Sequence, residues 1–302
     1  MCEKFQGLLG EIQKEVLGKP QEIEIIILAL LSRGHVLIED LPGMGKTVLA
    51  KALARVLNLK FRRIQGTSDL LASDILGVHI FNPETRKFEL HEGPAFAELV
   101  LFDEMNRTPA RTQSALLQVM AEHQITIDRI TYQLEPPYFV IGTQNPLSSD
   151  GTFRLPDSQL DRFCVRLSLG YPAPEYEKRI LKGEAESALS AMVSAQELLL
   201  AQEASQSPRV DDKIYNYLVQ IAKRTREDTQ LSHGVSVRAL KDLISLCKSR
   251  AWLRGLDYVT PDDVQKMAIP CLSHRIAARQ LTSRALQEEY IRELLRQVPL
   301  PL

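Results

Sequence analysis

The segment HVLIEDLPGMGKTVLAKALARVL, residues 35 to 57, constrains this chain more than any other. HVLIE (35 to 39) reads as a short buried strand, and KTVLAKALARVL (46 to 57) sets Leu49, Leu53 and Leu57 at four-residue spacing, the stripe of an amphipathic helix. A glycine-bearing turn joins them. Strand, turn and helix in that order are the context a phosphate-binding P-loop needs, because the unpaired amides at a helix start point at an anion. The pattern is G-x-x-x-x-G-K-[ST]; Gly45, Lys46 and Thr47 supply its end, while the first glycine falls on Asp40. At ordinary residue frequencies, P-G-x-G-K-[ST] arises by chance in about one chain per thousand of this length. Gly43 and Gly45 are the places where backbone must approach phosphate closely, so they matter more than the replaced glycine. The candidate nucleotide contacts are Leu41, Pro42, Gly43, Met44, Gly45, Lys46, Thr47 and Val48. Lys46 would reach the β and γ phosphates, and Thr47 would ligate Mg²⁺. The carboxylate of Asp40 is unfavourable beside phosphate unless it points away.

KFRRIQ (60 to 65), LVLF (99 to 102), YFVIGT (138 to 143) and FCVRLSL (163 to 169) are further strands, separated by stretches long enough for crossovers. The alternation predicts an α/β fold, a five-stranded parallel sheet with helices on both faces. LVLFDE carries Asp103 and Glu104 to a strand's carboxyl end, where open α/β sheets bind ligands. Asp103 would serve the Mg²⁺ shell and Glu104 would polarise the attacking water; a solvated acidic strand end is the plain alternative. Two hairpins are expected, at 77 to 93 around N-P-E-T and at 124 to 134, where Ile125, Ile127 and Ile130 flank an acidic-basic turn. After GYPAPE (170 to 175) the strand signal stops. The expected division is a core over 1 to 172 with both hairpins and a helical unit over 173 to 302. Helices should start at TPDDV (260 to 264), where Thr260 can cap, and near Ser236; 187 to 207 reads as Ala-rich helix.

The chain has 302 residues, 44% of them hydrophobic and 25% charged, a globular composition. Lys and Arg total 37 against 38 Asp and Glu, so no global field favours a polyanion and nucleic acid is not an expected partner. Cys2, Cys164, Cys247 and Cys271 form no C-x-x-C pair and read as inert thiols in a reducing compartment. No apolar run is long enough to span a bilayer, so membrane insertion is not expected and a cytoplasmic location is. The histidines, including His35, His91 and His274, show no ligand spacing and read as structural.

EDLPGMGKT, LFDEMNRTPARTQSALLQVMAEHQITI, IGTQNPLSSDGTFRLPDSQLDRF and HGVSVRAL, in this order, resemble the MoxR-type branch of the AAA+ ATPases, from about Val16 to about Ile276. Members of that branch resemble this chain even in the acidic residue before the P-G pair. The resemblance implies an ATPase using ATP and Mg²⁺, with a C-terminal helical lid, that assembles with itself, as a hexameric ring. It implies a chaperone-like role in remodelling or maturing client proteins, with a von Willebrand factor A domain partner and metal-cofactor insertion among the associated tasks. It assigns Asn145 to the sensor 1 position, Arg162 to the arginine finger that serves a neighbouring subunit, and Arg238 to sensor 2 at the start of a lid helix that closes over the nucleotide. Gly18 matches the segment lining the adenine pocket. Plain alternatives are a loop Asn for Asn145, pairing of Arg162 with Asp161 or Asp157, and pairing of Arg238 with Asp242. Arg107 would contact a neighbour, or hold Glu104 away from water, or form a loop salt bridge. Two other function classes fit the same motifs: a nucleic-acid motor tracking a backbone with Arg86, Lys87 and Arg129, and a nucleotide-dependent switch that scarcely turns over.

Overall fold

The computed structural model describes residues 1–146, 155–184, 189–278, 280–281 and 283–301. Helices α1 (Cys2–Glu15) and α2 (Pro20–Leu31) lead into β1 (Val36–Glu39) and α3 (Lys46–Val56). Then come β2 (Phe61–Gln65), α4 (Ala72–Leu76), the hairpin β3 (Gly77–Asn82) and β4 (Lys87–Glu92), β5 (Leu99–Asp103) and α5 (Ala110–Glu122). A second hairpin, β6 (Gln124–Ile127) and β7 (Ile130–Gln133), precedes β8 (Phe139–Gln144), α6 (Asp157–Leu160) and β9 (Val165–Leu167). The described chain is helical from there: α7 (Pro174–Leu181), α8 (Ala195–Ala204), α9 (Asp212–Glu227), α10 (Val237–Leu253), α11 (Pro261–Leu272) and α12 (Arg284–Gln297).

The expected parallel sheet is present, in the order β2-β5-β8-β1-β9. After β1 the chain crosses to the far edge at β2, returns through β5 and β8, and passes beyond β1 to β9. That reversal of direction beside β1 opens a crevice at the carboxyl ends of the strands, where the P-loop lies. The period-two pleat sorts the apolar residues. Val36, Ile38, Leu99, Leu101, Phe139, Ile141, Val165 and Leu167 face α1, α2, α3 and the later helices. Leu37, Val100, Phe102 and Val140 face α5 and the hairpin side. Each such side chain, fully buried, stabilises the fold by about 1.5–3 kcal/mol.

Sequence position 170 to 175 marks a change of architecture but not a break in packing. Gly170 takes a left-handed φ of 60° and Pro174 opens α7, yet Leu198, Ile221, Leu243 and Leu272 of the later helices join the same hydrophobic cluster as β1. The Gln202 side chain donates to Leu30 O at 2.8 Å and Ser205 Oγ to Leu31 O at 3.2 Å, tying α8 to the end of α2. The helix expected over 187 to 207 is shorter. Residues 187 and 188 of that span lie outside the described residues, and α8 begins only at Ala195, because Ser194 and Glu197 form a reciprocal capping box that fixes the start. Thr260 and Ser236 cap α11 and α10 as expected, by accepting from the amides of Asp263 and Ala239. Among the described residues no helix is long and apolar enough to cross a membrane.

Both hairpins form. In the second, Asp128 and Arg129 carry φ of 47° and 74°, the left-handed pair of a tight two-residue turn. His79 fastens the hairpins together through Nδ1 to the Asp128 carboxylate at 3.0 Å and Nε2 to the Tyr132 hydroxyl at 2.8 Å. At the tip of the first, Phe81 and Phe88 meet edge to face at 5.5 Å and stay exposed.

His35 is structural, as its sequence context implied. Its Nδ1 accepts from Val140 N at 3.1 Å, so Nε2 carries the proton given to Met120 O at 3.2 Å, and the ring is neutral and buried. Burial pushes its pKa from 6.5 down to about 4. The unfolded chain therefore takes up this proton first as pH falls, and stability present above pH 6.5 is lost on the way to pH 4. The difference corresponds to about 3 kcal/mol. Thermal melts from pH 7.5 to 4 should show this decline, and His35→Asn should be less stable at pH 7.5 with a shallower slope below 6.5. An unchanged slope in the variant would remove His35 as a source of acid sensitivity.

Candidate nucleotide site

Gly43 and Gly45 take left-handed φ of 83° and 82°, and a Cβ built on either meets nothing within 4 Å. The glycines are thus required by backbone conformation, and the side of the loop they leave bare is open to a ligand. α3 starts at Lys46 with Gly45 as its N-cap; no side chain caps it and no acidic residue stands in its first turn. The positive end of the helix and its first amides are uncompensated, the condition for binding phosphate.

Pro42, Gly43, Met44, Gly45, Lys46, Thr47 and Val48 line one wall of a cleft of about 410 Å³, and Asp103 and Glu104 line another. The structure therefore brings Lys46, Thr47, Asp103 and Glu104 together across more than 50 residues of sequence. Lys46 Nζ donates to Asp40 O at 2.8 Å and Leu41 O at 2.9 Å, which folds the ammonium into its own loop. Burial lowers its pKa, opposed by the charges of Asp40, Asp103 and Glu104. Leu41 itself lines a wider neighbouring cavity of about 700 Å³.

The Asp40 carboxylate turns away from the cleft. It accepts from Ser168 Oγ at 2.8 Å, from the amide of Leu169, and from Gly170 N at 3.2 Å. Its partners are backbone amides and a hydroxyl rather than a basic side chain, and they satisfy the charge without placing it against phosphate.

Thr143, fully buried at the end of β8, organises the acidic pair. Its hydroxyl donates to Asp103 Oδ1 at 2.7 Å and accepts from Glu104 N at 2.9 Å. Glu104 adopts a left-handed φ of 53°, a conformation that costs a non-glycine residue of order 1 kcal/mol and turns its side chain out of the strand direction. Gly66 permits this turn, since a Cβ there would stand 2.2 Å from Glu104 O. Arg107 Nη1 donates to Glu104 Oε2 at 3.0 Å, so the loop salt bridge among the readings of Arg107 is present. Arg63 and Gln65 of β2 also line the cleft. Neither they nor Thr143 carry a motif; their only sequence signal is a polar residue near a strand's carboxyl end.

These features match known proteins. The ATPase family associated with various cellular activities (AAA) matches residues 35–165, and the AAA lid domain matches residues 223–294. Chaperone MoxR1 of Mycobacterium tuberculosis is 36% identical over an alignment covering 96% of this chain and 79% of that protein. The chain belongs to the MoxR-type AAA+ ATPases. A Bacillus subtilis protein, YeaC, described as uncharacterized, is 40% identical, with 99% of this chain and 97% of that protein covered. A crystal structure of a Cytophaga hutchinsonii protein assigned as an ATPase superposes with a TM-score of 0.90 at 32% identity, covering 99% of this chain and 95% of that one.

The remaining residues singled out by the MoxR resemblance stand outside the cleft walls. Asn145 follows β8 and lines the wider cavity; its carbonyl accepts from Asn106 Nδ2 at 3.2 Å. Arg162 follows α6 and donates through Nη1 to Leu117 O. Asp161 and Asp242, the acids that a simple pairing would give to Arg162 and Arg238, both pair with buried Arg275, at 3.3 and 2.5 Å. Arg275 also donates to the carbonyls of Asp161 and Phe163, clamping the peptides on both sides of Arg162 to the helical unit. Arg238 lies in the first turn of α10, which packs on α1 and α2, and its charge is felt at His35, at the amino end of β1. It is not among the residues that line the P-loop cleft of its own chain. Gly18 has φ 73° and packs against Tyr176, whose ring would stand 2.5 Å from a Cβ. Lys19 beside it donates to Tyr171 O at 2.8 Å.

Among the described residues no cluster of three or more His, Cys, Asp and Glu side chains is arranged for a metal ion. Thr47 and Asp103 nevertheless offer hard oxygens in one cleft, the donor set suited to Mg²⁺ that keeps most of its shell as water and phosphate.

Proposed function

We propose that this MoxR-type chain is a Mg²⁺-dependent ATPase that works in a hexameric ring of its own copies and uses turnover to remodel or mature partner proteins. The observation that carries the reading is the convergence of Lys46, Thr47, Asp103 and Glu104 on one cleft at the start of α3. ATP binds with its phosphates on the amides of Gly43 to Val48, and Lys46 leaves the carbonyls of Asp40 and Leu41 for the β and γ phosphates. Thr47 and Asp103 would hold Mg²⁺, which would supply positive charge to neutralise the phosphate oxygens. Glu104, on its turned-out backbone, orients and deprotonates the attacking water, with Asn145 of sensor 1 beside the γ-phosphate. Arg162 and Arg238 serve the cleft of a neighbouring subunit, consistent with their places outside their own. Gly18, packed on Tyr176, borders the adenine.

The name of the Mycobacterium tuberculosis relative, a chaperone, supports a client-directed role. A von Willebrand factor A domain protein as partner, and metal-cofactor insertion as the task, extend this reading, with the paired hairpins as the contact surface. The near balance of 37 basic and 38 acidic residues supports a protein partner over nucleic acid, and a cytoplasmic location is part of the same reading. Phosphate release from ATP by the purified chain should require Mg²⁺. Lys46→Ala should abolish it at ATP concentrations near the Kd of the unsubstituted chain, because the loss of two charge-assisted contacts weakens ATP binding on the order of 100-fold. Turnover that survives this substitution would place the chemistry elsewhere.

A further inference from the structure

Among the described residues, Arg63 is the one cation beside Lys46 on the walls of the P-loop cleft. It lies on β2, directly paired with β5, and its Nη2 donates to Asp103 Oδ2 at 2.6 Å and to Gln65 Oε1 at 2.5 Å. The other Asp103 oxygen is engaged by Thr143, so the carboxylate is held at both ends. The two contacts differ in kind. Thr143 is buried and fixed, whereas the Arg63 side chain is 45% exposed and free to swing along an edge strand. A guanidinium bonded to Oδ2 and a divalent cation ligated by Oδ2 compete for the same negative charge, so one must yield to the other. A displaced guanidinium keeps five donors in a planar fork that suits phosphate oxygens as well as carboxylate.

We propose that Arg63 is a further positioning residue of this site, one that couples the divalent cation to the length of the phosphate chain. It guards Asp103 Oδ2 against the cation alone and releases it when a triphosphate supplies, in its terminal phosphate, an acceptor for the freed guanidinium. A diphosphate lacks that acceptor, so the cation must displace Arg63 without compensation and binds less tightly. The inference rests on the nucleotide reading of the cleft, and it assigns to one side chain the discrimination between ATP and ADP.

Two binding measurements on the full chain test it without relying on turnover. Mn²⁺ titrated into nucleotide-free protein and followed by electron paramagnetic resonance should bind about tenfold more tightly to Arg63→Ala than to the unsubstituted chain, since a charge-assisted contact to Asp103 is gone. Fluorescent ATP and ADP titrated with Mg²⁺ should show the ATP preference of the unsubstituted chain reduced about tenfold in Arg63→Ala, through tighter ADP binding at nearly constant ATP affinity. Arg63→Lys, which keeps the charge and loses the fork, should fall between the two. Both changes together support the proposal; Mn²⁺ affinity unchanged or weakened, or an unchanged ATP preference, overturns it. Failure of the unsubstituted chain to bind either nucleotide would instead refute the nucleotide reading itself. The half-exposed position of Arg63 on the edge strand makes the variants compatible with folding, which far-ultraviolet circular dichroism checks.

Discussion

Replacing Arg162 by alanine is expected to lower ATP turnover about 10³- to 10⁵-fold, the effect of removing an arginine supplied in trans to a phosphoryl-transfer site. ATP binding by the isolated chain should persist, because Arg162 does not line the P-loop cleft. The specific activity of the unsubstituted protein should rise with its own concentration, since a lone subunit lacks the neighbour's guanidinium. The position of Arg162 suits that role. The carbonyls of Asp161 and Phe163, on either side of it, are gripped by Arg275, a side chain only 1% exposed, so the backbone that carries Arg162 is fixed. Flat specific activity over a wide concentration range, together with full turnover by Arg162→Ala, would eliminate the trans model.

The second large effect is expected at Glu104. Glu104→Gln keeps the shape of the side chain and loses its basicity, so turnover should fall about 10²- to 10⁴-fold while ATP stays bound. The two variants also make a joint test. A subunit carrying Arg162→Ala has an intact Glu104, and one carrying Glu104→Gln has an intact Arg162. Mixing them should restore activity at every contact where the first presents its cleft to the second's arginine. No recovery in mixtures shown by size to co-assemble would mean that the two residues do not meet across an interface. The same Glu104→Gln protein, held with ATP, is the reagent for recovering a client, and a single recovered species would define the biological task.

Much of this architecture was legible because each element was specified locally and redundantly. β1 and α3 are marked by an apolar run, two glycines and a leucine stripe, all within 23 residues. The hairpin at 124 to 134 is marked by alternation around a two-residue turn. The end of α8 nearest the N-terminus was not legible from Ala content, because a capping box of two polar residues outweighs propensity there. In the site, Lys46, Thr47, Asp103 and Glu104 were visible since their chemistry demands particular neighbours in sequence. Arg63 and Thr143 were not, because their roles depend on strand pairing: β2 beside β5, and β8 beside β5, set them on Asp103 from two sides. The placement of Arg238 likewise follows from how α10 packs on α1 and α2, a tertiary fact with no local signature.

The hydrogen bonds of Asp40 give the fold a mechanical property. This one carboxylate, at the root of the phosphate loop, grips the peptides of Leu169 and Gly170, where the chain leaves the sheet for its helices. Lys46 pulls on the carbonyl of the same residue. A ligand that draws Lys46 away therefore unloads one side of Asp40 while the other stays fastened to the peptides of Leu169 and Gly170. The phosphate loop and the exit of the chain from the sheet are thus joined through a single amino acid.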